Sequence, residues 1–536
     1  MFGARHFYYY LANCHIYIVF QFIKLRNCAK LKGMTRIKIA IFFTLLLTFF
    51  AYLQLAPTFV DPDSFYHTKM ALIMKEQGVI KEFPWLKFTS FTQNFTNQHF
   101  LYQLALIPFV TVFPPLLAVK IASIIFATAV IFFFYFFLKR WQIRWPLFYT
   151  LILLSIPAFV FRINLAKAGP LSIIVLLIAL SLIWQKRYWA LGILSFFYVW
   201  LHGGWGLMII LAACAIISDL LINKWALKRI NWKLIATVTI GLTAGLIINP
   251  SFPNNLQFYW EQVVQIGLIN YQGIVAVGVE WYPMKITDFL TTNVLGWILT
   301  IGTFSVFLWR VKTGGATVNK EKFKQILTLY IFSGLLAVMT LKSMRFIEYF
   351  APFFILANAF LLDFSLPQNF SPRDEIKKFW KKNAVNKIIV SYLLITWLVV
   401  FIGKNIELRD FTVKGFSWQY LAGASEWLKQ NTPERSLIFH TQWSDWPMLF
   451  YHNSNNVYTA GMDPTFFYRY DQELYKTWVT IGARQETKPE EKIKNDFGTN
   501  ILLLKLTEKK LLEQIEKNPQ FVLKYEDKEA KIFEIQ

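Results

Sequence analysis

Cysteine is nearly missing from this chain. Cys14, Cys28 and Cys214 are the only three in 536 residues, and none lies beyond residue 404. A disulfide framework is therefore excluded for the polar carboxy-terminal segment. Acid is scarce as well, with 32 Asp and Glu against 55 Lys and Arg and a formal net charge of +23. The chain also lacks a Walker loop, a dinucleotide fingerprint, zinc-ligand spacing and a nucleophile elbow, so the chemistries those motifs carry find no footing. No internal repeat or low-complexity stretch organises it.

What the chain has instead is apolar length. It is 55% hydrophobic and 18% aromatic, and the apolar residues come in runs. Runs over 37–56, 119–138, 147–161, 171–184, 189–201, 207–222, 234–248, 289–309, 326–341, 347–362 and 388–402 predict about eleven transmembrane helices. The basic excess does not spread as a nucleic-acid surface would. Residues 404–536 hold 18 Lys and Arg against 19 Asp and Glu, a net of −1 that leaves +24 in the rest. There the cations collect in alternate loops, at 24–38, 139–144, 186–187, 224–233, 310–324 and 373–387. That is the positive-inside pattern, and it argues against a nucleic-acid partner.

The alternation sets a topology. The basic loops face the cytoplasm, and 57–115, 162–169, 202–206, 249–287, 342–346 and the tail from 404 face outward. The expected fold is a polytopic α-helical membrane protein with a C-terminal extracytoplasmic α/β domain, divided at 37–403 and 404–536. Residues 1–36 read as a cytoplasmic segment or, over 1–33, as an over-extended start before Met34-Thr35-Arg36. A further span over 7–23 is the alternative, and no small-residue cleavage site marks a removed signal peptide.

The richest polar stretch is Asp61-Pro62-Asp63-Ser64-Phe65-Tyr66-His67, just past the first span. Asp61-Pro62 reads as a helix cap followed by proline at the first helical position, and Gly78 as the stop. On that helix Asp63 and His67 are four apart and share a face, with Asp61 at the same end. Two carboxylates at a bilayer surface can hold a divalent cation through hard oxygen ligands, or take a proton from a hydroxyl or amide. The plainer alternative is that Asp61 only caps and Asp63 is only solvated.

Four further outer-face groups stand out. Trp443-Ser444-Asp445-Trp446-Pro447 follows an expected strand, where α/β domains build sites. Its aromatics can stack on a sugar or peptide with Asp445 accepting a hydrogen bond, or pack the domain against the membrane part. Arg345, in Lys342-Ser343-Met344-Arg345, breaks the charge rule and so asks for an anion such as a lipid phosphate or diphosphate. Arg162 and Lys167 fit the same role. Each equally fits a headgroup contact or a pair with Glu348. Glu280, with Trp281 and Tyr282, suits a metal or a substrate, though interfacial aromatics are ordinary anchors. His202, in a tight turn, reads as structural.

Many spans, an acidic first outer loop and a carboxy-terminal outer domain together resemble the GT-C membrane glycosyltransferases. Within them, Asp61-Pro62-Asp63-Ser64-Phe65-Tyr66-His67 is similar to the first-loop Asp…Tyr-His motif of the single-subunit oligosaccharyltransferases. Trp443, Asp445 and Trp446 match part of that family's WWDYG motif, while Ser444 and Pro447 depart from it. The resemblance implies transfer of a sugar or oligosaccharide from a polyprenyl-(di)phosphate carrier to a protein or glycan acceptor on the outer face. It implies that Asp61 or Asp63 positions the acceptor and, with Glu280, binds Mg²⁺ or Mn²⁺. It implies that Arg345 holds the carrier phosphate. Asp61, Asp63 and His67 are thus the expected catalytic residues. Arg345, Arg162, Lys167, Tyr66, Trp443, Asp445, Trp446 and Trp281 are the expected substrate-binding ones. One departure concerns charge: the second outer loop, 162–167, carries Arg162 and Lys167 where the family has a second acidic pair. A monosaccharide transferase acting on lipid, protein hydroxyls or envelope glycan is the rival reading. A transporter or lipid flippase is the rival of a different class.

Overall fold

The computed structural model describes residues 36–225, 230–269, 271–313, 319–367 and 370–536. The readings of residues 1–33, the possible span over 7–23 included, lie outside them. The described chain is mostly helical.

All eleven apolar runs are helical, though 147–161 and 289–309 are each divided between two helices. Six helices are long and apolar enough to cross a membrane: Arg36–Leu53, Pro115–Arg140, Val294–Lys312, Lys320–Lys342, Met344–Ser365 and Ala384–Val413. A seventh is reached only if Pro146–Leu154 and Pro157–Ile163, bent by 85°, count as one broken span. Proline at 157 lacks an N–H and forces the residue before it out of the helical region. Ile156 is accordingly extended, at φ −98° and ψ 99°. Gly169–Trp184, Tyr188–Leu201, Leu207–Ile222 and Trp232–Ile247 have 14 to 16 residues. At about 1.5 Å per residue they reach roughly 24 Å at most, short of a hydrocarbon layer about 30 Å thick. By length and composition alone, six or seven spans stand out among the described residues.

Outside the bundle lies a five-stranded mixed sheet from the carboxy-terminal segment. Numbering strands along the chain, β1 is Thr58–Phe59, β2 Phe416–Ser417, β3 Leu437–His440, β4 Val457–Tyr458, β5 Ile501–Lys505, β6 Phe521–Glu526 and β7 Ala530–Ile535. The sheet order is β4-β3-β5-β7-β6. β3 runs parallel to both β4 and β5, and the β6–β7 hairpin closes the far edge antiparallel. β3 is buried along its whole length, as a central parallel strand must be.

The segment 57–99 stitches this sheet to the bundle. β1 pairs with β2, Thr58 opposite Ser417, and Leu86 bridges in parallel to Tyr458 on the free edge of β4. Beneath that seam lies an aromatic core. Trp446 stacks on Phe450 at 4.9 Å and 9°, and lies 5.7 Å from both Tyr66 and Phe83. Gly461 permits this packing, because a Cβ there would fall 2.5 Å from Trp446 Cγ. At the opposite end of the bundle the basic loops make their own pairs, Arg144 with Asp363 and Lys324 with Asp219.

Candidate active site

Four chain segments that the sequence scatters over nearly 300 residues meet at the sheet end of the bundle. The first is the turn entering helix Asp63–Gln77. Asp61 caps that helix, with Pro62 at the first helical position. Its Oδ1 accepts from the Asp63 N–H at 2.9 Å, which leaves Oδ2 turned outward. Asp63 opens the helix with its side chain 42% exposed against 17% for Asp61, so Asp63 is the carboxylate open to solution.

The second segment follows the 85° bend. Turning at Pro157 delivers Arg162 and Lys167 to the carboxylates. Lys167 Nζ lies 2.7 Å from Asp61 Oδ2, 3.0 Å from Asp63 Oδ2 and 3.3 Å from Glu280 Oε2. Arg162 donates through Nη1 to Glu280 at 2.6 Å and through Nε to Glu348 at 3.1 Å. Glu348 reaches in because Gly169 has no side chain: a Cβ there would stand 3.0 Å from its Oε2.

The third and fourth segments are Val279–Trp281 and Met344–Phe346, two single turns of 3-10 helix. They are laced together by Ser343 Oγ donating to the Glu280 carbonyl at 2.9 Å and Met344 N–H to the Tyr282 carbonyl at 3.0 Å. The Arg345 guanidinium lies 4.3 Å from the Trp281 ring centroid and 3.7 Å from Glu280 Oε1. That last distance is an ion pair but not a hydrogen bond, and among the described residues it is the one ion pair Arg345 makes. Glu348, the partner the sequence offered Arg345, goes to Arg162 instead.

The charges tune one another. Burial pushes the Asp61 carboxyl up, Lys167 opposes it, and Asp63 and Glu280 push again, leaving it at about 6. Burial also disfavours ionised Glu280, but Lys167, Arg162 and Arg345 more than offset this and hold it well below the usual carboxylate range. Lys167, despite burial, is pushed above its ordinary value by Asp61, Asp63 and Glu280.

Other expected site residues are placed elsewhere. His67 is 2% exposed and faces inward, its Nδ1 3.3 Å from Gln103 Nε2 and its ring against His99 and Tyr102. Burial and the Lys167 charge push its imidazole down to about 3, so it stays neutral and is no acid–base group at physiological pH. It packs beneath the carboxylates rather than beside them. Tyr66 is buried against Trp446. Trp446 is wholly buried and Asp445, also buried, bonds Lys505 Nζ at 2.9 Å. Neither presents a face to a sugar or peptide: the motif packs the sheet onto the first loop. Trp443 alone reaches toward the site, donating to the Ala276 carbonyl at 3.1 Å and touching Gly278.

The expected cation is tested by the same geometry. Asp61, Asp63 and Glu280 do converge, but on the Lys167 ammonium, and no cluster of three or more metal-ligating side chains exists among the described residues. The donor set does not fit a divalent ion, and no chemical step is routed through one here. The sequence offered Glu348 to Arg345, Arg162 and Lys167 alike, and the structure gives it to Arg162. The missing signal was the bend, which alone brings residues 162 and 348 together.

No protein-family model matches the chain, and no curated protein matches its sequence. Solved structures do match in fold. ArnT from Cupriavidus metallidurans, solved bound to undecaprenyl phosphate, superposes with a TM-score of 0.56 at 14% identity, over 92% of this chain and 97% of that one. The Archaeoglobus fulgidus oligosaccharyltransferase gives 0.52 at 10% identity, over 88% and 70%. The mycobacterial arabinofuranosyltransferase AftD gives 0.52 at 11% identity, over 94% and 40%. All three are GT-C glycosyltransferases. This chain has the GT-C fold, and it is an integral membrane protein.

Proposed function

We propose that the protein is a membrane glycosyltransferase that moves a sugar from a polyprenyl-(di)phosphate carrier to an acceptor on the outer face. The carrying observation is the convergence of Asp61, Asp63 and Glu280 with Arg162, Lys167 and Arg345 at one end of a GT-C bundle. Placing that end, with the carboxy-terminal domain, outside the cytoplasm follows from the basic loops at the other end.

Arg345 is the seat for the carrier phosphate. It lies 4.3 Å from the Trp281 ring centroid, its one ion pair among the described residues is long, and its planar fork suits phosphate oxygens. Asp63, exposed beside Asp61, orients the acceptor and takes its proton. The acceptor oxygen or nitrogen attacks the anomeric carbon from the face opposite the phosphate. The new glycosidic bond forms as the bond from the anomeric carbon to the phosphate oxygen breaks. The electron pair leaves with the polyprenyl (di)phosphate, which Arg345 steadies, and the anomeric configuration inverts.

Burial of Asp445 and Trp446 favours the narrower version of this reading. A motif folded into the core cannot read an acceptor peptide, which favours a monosaccharide transferase to lipid, protein hydroxyl or envelope glycan over an oligosaccharyltransferase. A transporter is disfavoured, since transporters place ionisable groups near the bilayer midplane and this cluster gathers in loops beyond the helix ends. The test is transfer from a lipid-linked sugar by purified protein in liposomes, with the product weighed by mass spectrometry. One added sugar supports the narrower version. Turnover left intact by both Asp61→Asn and Asp63→Asn would sink the mechanism.

A further inference from the structure

We propose that the Lys167 ammonium is the built-in cation of this site. It occupies the seat between Asp61, Asp63 and Glu280 that a divalent metal would take, and the protein neither binds nor needs such a metal there. The second part of that statement, that turnover is metal-free, rests on the transferase reading; the first does not.

Three observations carry it. Lys167 Nζ has three N–H donors and no acceptor. It stands within 2.7, 3.0 and 3.3 Å of one oxygen each from Asp61, Asp63 and Glu280. The ammonium is therefore ion-paired with three carboxylates, two from the turn entering helix Asp63–Gln77 and one from the Val279–Trp281 turn. The remaining charge is closed off in the same way, for Glu280 Oε2 also accepts from Arg162 and Arg162 pairs with Glu348. A divalent ion requires about six oxygens at roughly 2.0–2.6 Å. To gather these carboxylates at that distance it would have to sit where the ammonium already is, or share the position with a like charge.

Lys167 is also held by its backbone, not merely by its flexible stem. The loop from 164 to 168 follows directly on the bent helix Pro157–Ile163, and the Lys167 N–H bonds the Leu165 carbonyl at 2.9 Å. Gly169, two residues on, lies against Glu348, so the loop's exit is packed as well. The change of charge in the 162–167 loop thus has a structural meaning. Where a further carboxylate in the 162–167 loop would add acid to Asp61, Asp63 and Glu280, that loop supplies the cation instead. A fixed monovalent charge holds the Asp61 and Asp63 side chains aimed, which is a positioning role, and it leaves phosphate recognition to Arg345.

The experiment is a Mn²⁺ titration of the purified full-length protein in detergent, read by the electron paramagnetic resonance signal of free Mn²⁺, beside turnover in EDTA. Wild type is expected to leave the free Mn²⁺ signal undiminished up to about millimolar and to keep its rate in EDTA. Lys167→Ser vacates the seat and is expected to bind one Mn²⁺ at least tenfold more tightly than wild type, and adding Asp63→Asn to abolish that binding. Lys167→Arg, which keeps the charge, is expected to exclude Mn²⁺ as wild type does; thermal unfolding confirms that each variant is folded. Stoichiometric Mn²⁺ binding by wild type that Asp61→Asn removes would overturn the proposal. So would a folded Lys167→Ser protein that gains no Mn²⁺ binding. Failure to detect sugar transfer by any variant would count against the transferase reading and leave the Mn²⁺ result standing.

Discussion

Two buried aspartate–lysine pairs lie on either side of the same aromatic seam, and they do opposite things. Asp445 meets Lys505 at 2.9 Å as one acid to one base, in a loop sealed by the Thr441 hydroxyl bonding Glu508. Asp61 meets Lys167 at 2.7 Å, but the lysine is shared with Asp63 and Glu280, and Glu280 is shared in turn with Arg162 and Arg345. The first pair is complete. The second belongs to a network whose edges are unfinished, with Asp63 largely open and Arg345 loosely held. A buried ion pair by itself says little about function, because a closed pair does no more than satisfy its own desolvation. An unbalanced network at a surface is what has capacity left for a substrate.

The largest effect should separate the two pairs by activity. Asp63→Asn is expected to cut transfer from a lipid-linked sugar by about 10²–10⁴-fold, the usual yield of a positioned proton acceptor, with little change in Tm. Asp445→Asn is expected to leave turnover within a few-fold while lowering Tm. Rates and melting curves on the same preparations decide it. A turnover loss in Asp445→Asn as deep as in Asp63→Asn would erase the distinction.

Next in size is the seam itself. Trp446→Ala removes a wholly buried ring stacked on Phe450, and should cost about 3–5 kcal/mol of stability, read by denaturant unfolding in detergent. If Trp446 instead binds sugar, the loss appears in KM with stability unchanged. Smaller again is Arg345→Lys. The single ammonium cannot reproduce the two-pronged guanidinium contact, and an increase of about tenfold in KM for the lipid-linked donor is expected, with Tm constant.

The two pairs also differ in how legible they were. Both motifs contain an aspartate amid aromatics, and sequence alone treats them alike. What distinguishes them is the company brought by tertiary structure. Lys505 lies 60 residues from Asp445, and Lys167 more than 100 from Asp61 on a loop whose aim is set by the break at Pro157. The break was visible as a proline inside an apolar run, but the run's hydropathy overrode it, so 147–161 read as one straight span. Helix placement survived better, because apolar period and charge alternation act over whole segments. Crossing number is less legible, since four runs form helices of only 14 to 16 residues. The strand expected before Trp443 is there, as Leu437–His440. The order of the strands, with the hairpin beside β5, depends on long-range pairing that one sequence does not display. The charge reversal in 162–167 was legible, and it was the one departure from the resembled family that explained the site rather than blurred it.

The smallest effect examines the closed pair by pH. Burial raises the Asp445 carboxyl from 3.8 to about 6, with Lys505 pulling against it. A carboxyl whose folded value exceeds its unfolded one binds its proton more tightly when folded. Its stabilisation is full below about pH 3.8 and is lost as pH rises through 6. His440, pushed down to about 4 mainly by burial, has the opposite sign: it favours the fold above about pH 6.5 and ceases to as pH falls through 4. The two oppose each other in wild type, so the overall pH profile hides both. Subtracting the Asp445→Asn profile cancels His440. The Tm of wild type minus that of the variant is then expected to grow by a few °C as pH falls from 7 to 4. A flat difference would mean that Lys505 holds Asp445 ionised in spite of burial, and the pair would be as strongly polarised as the one around Lys167.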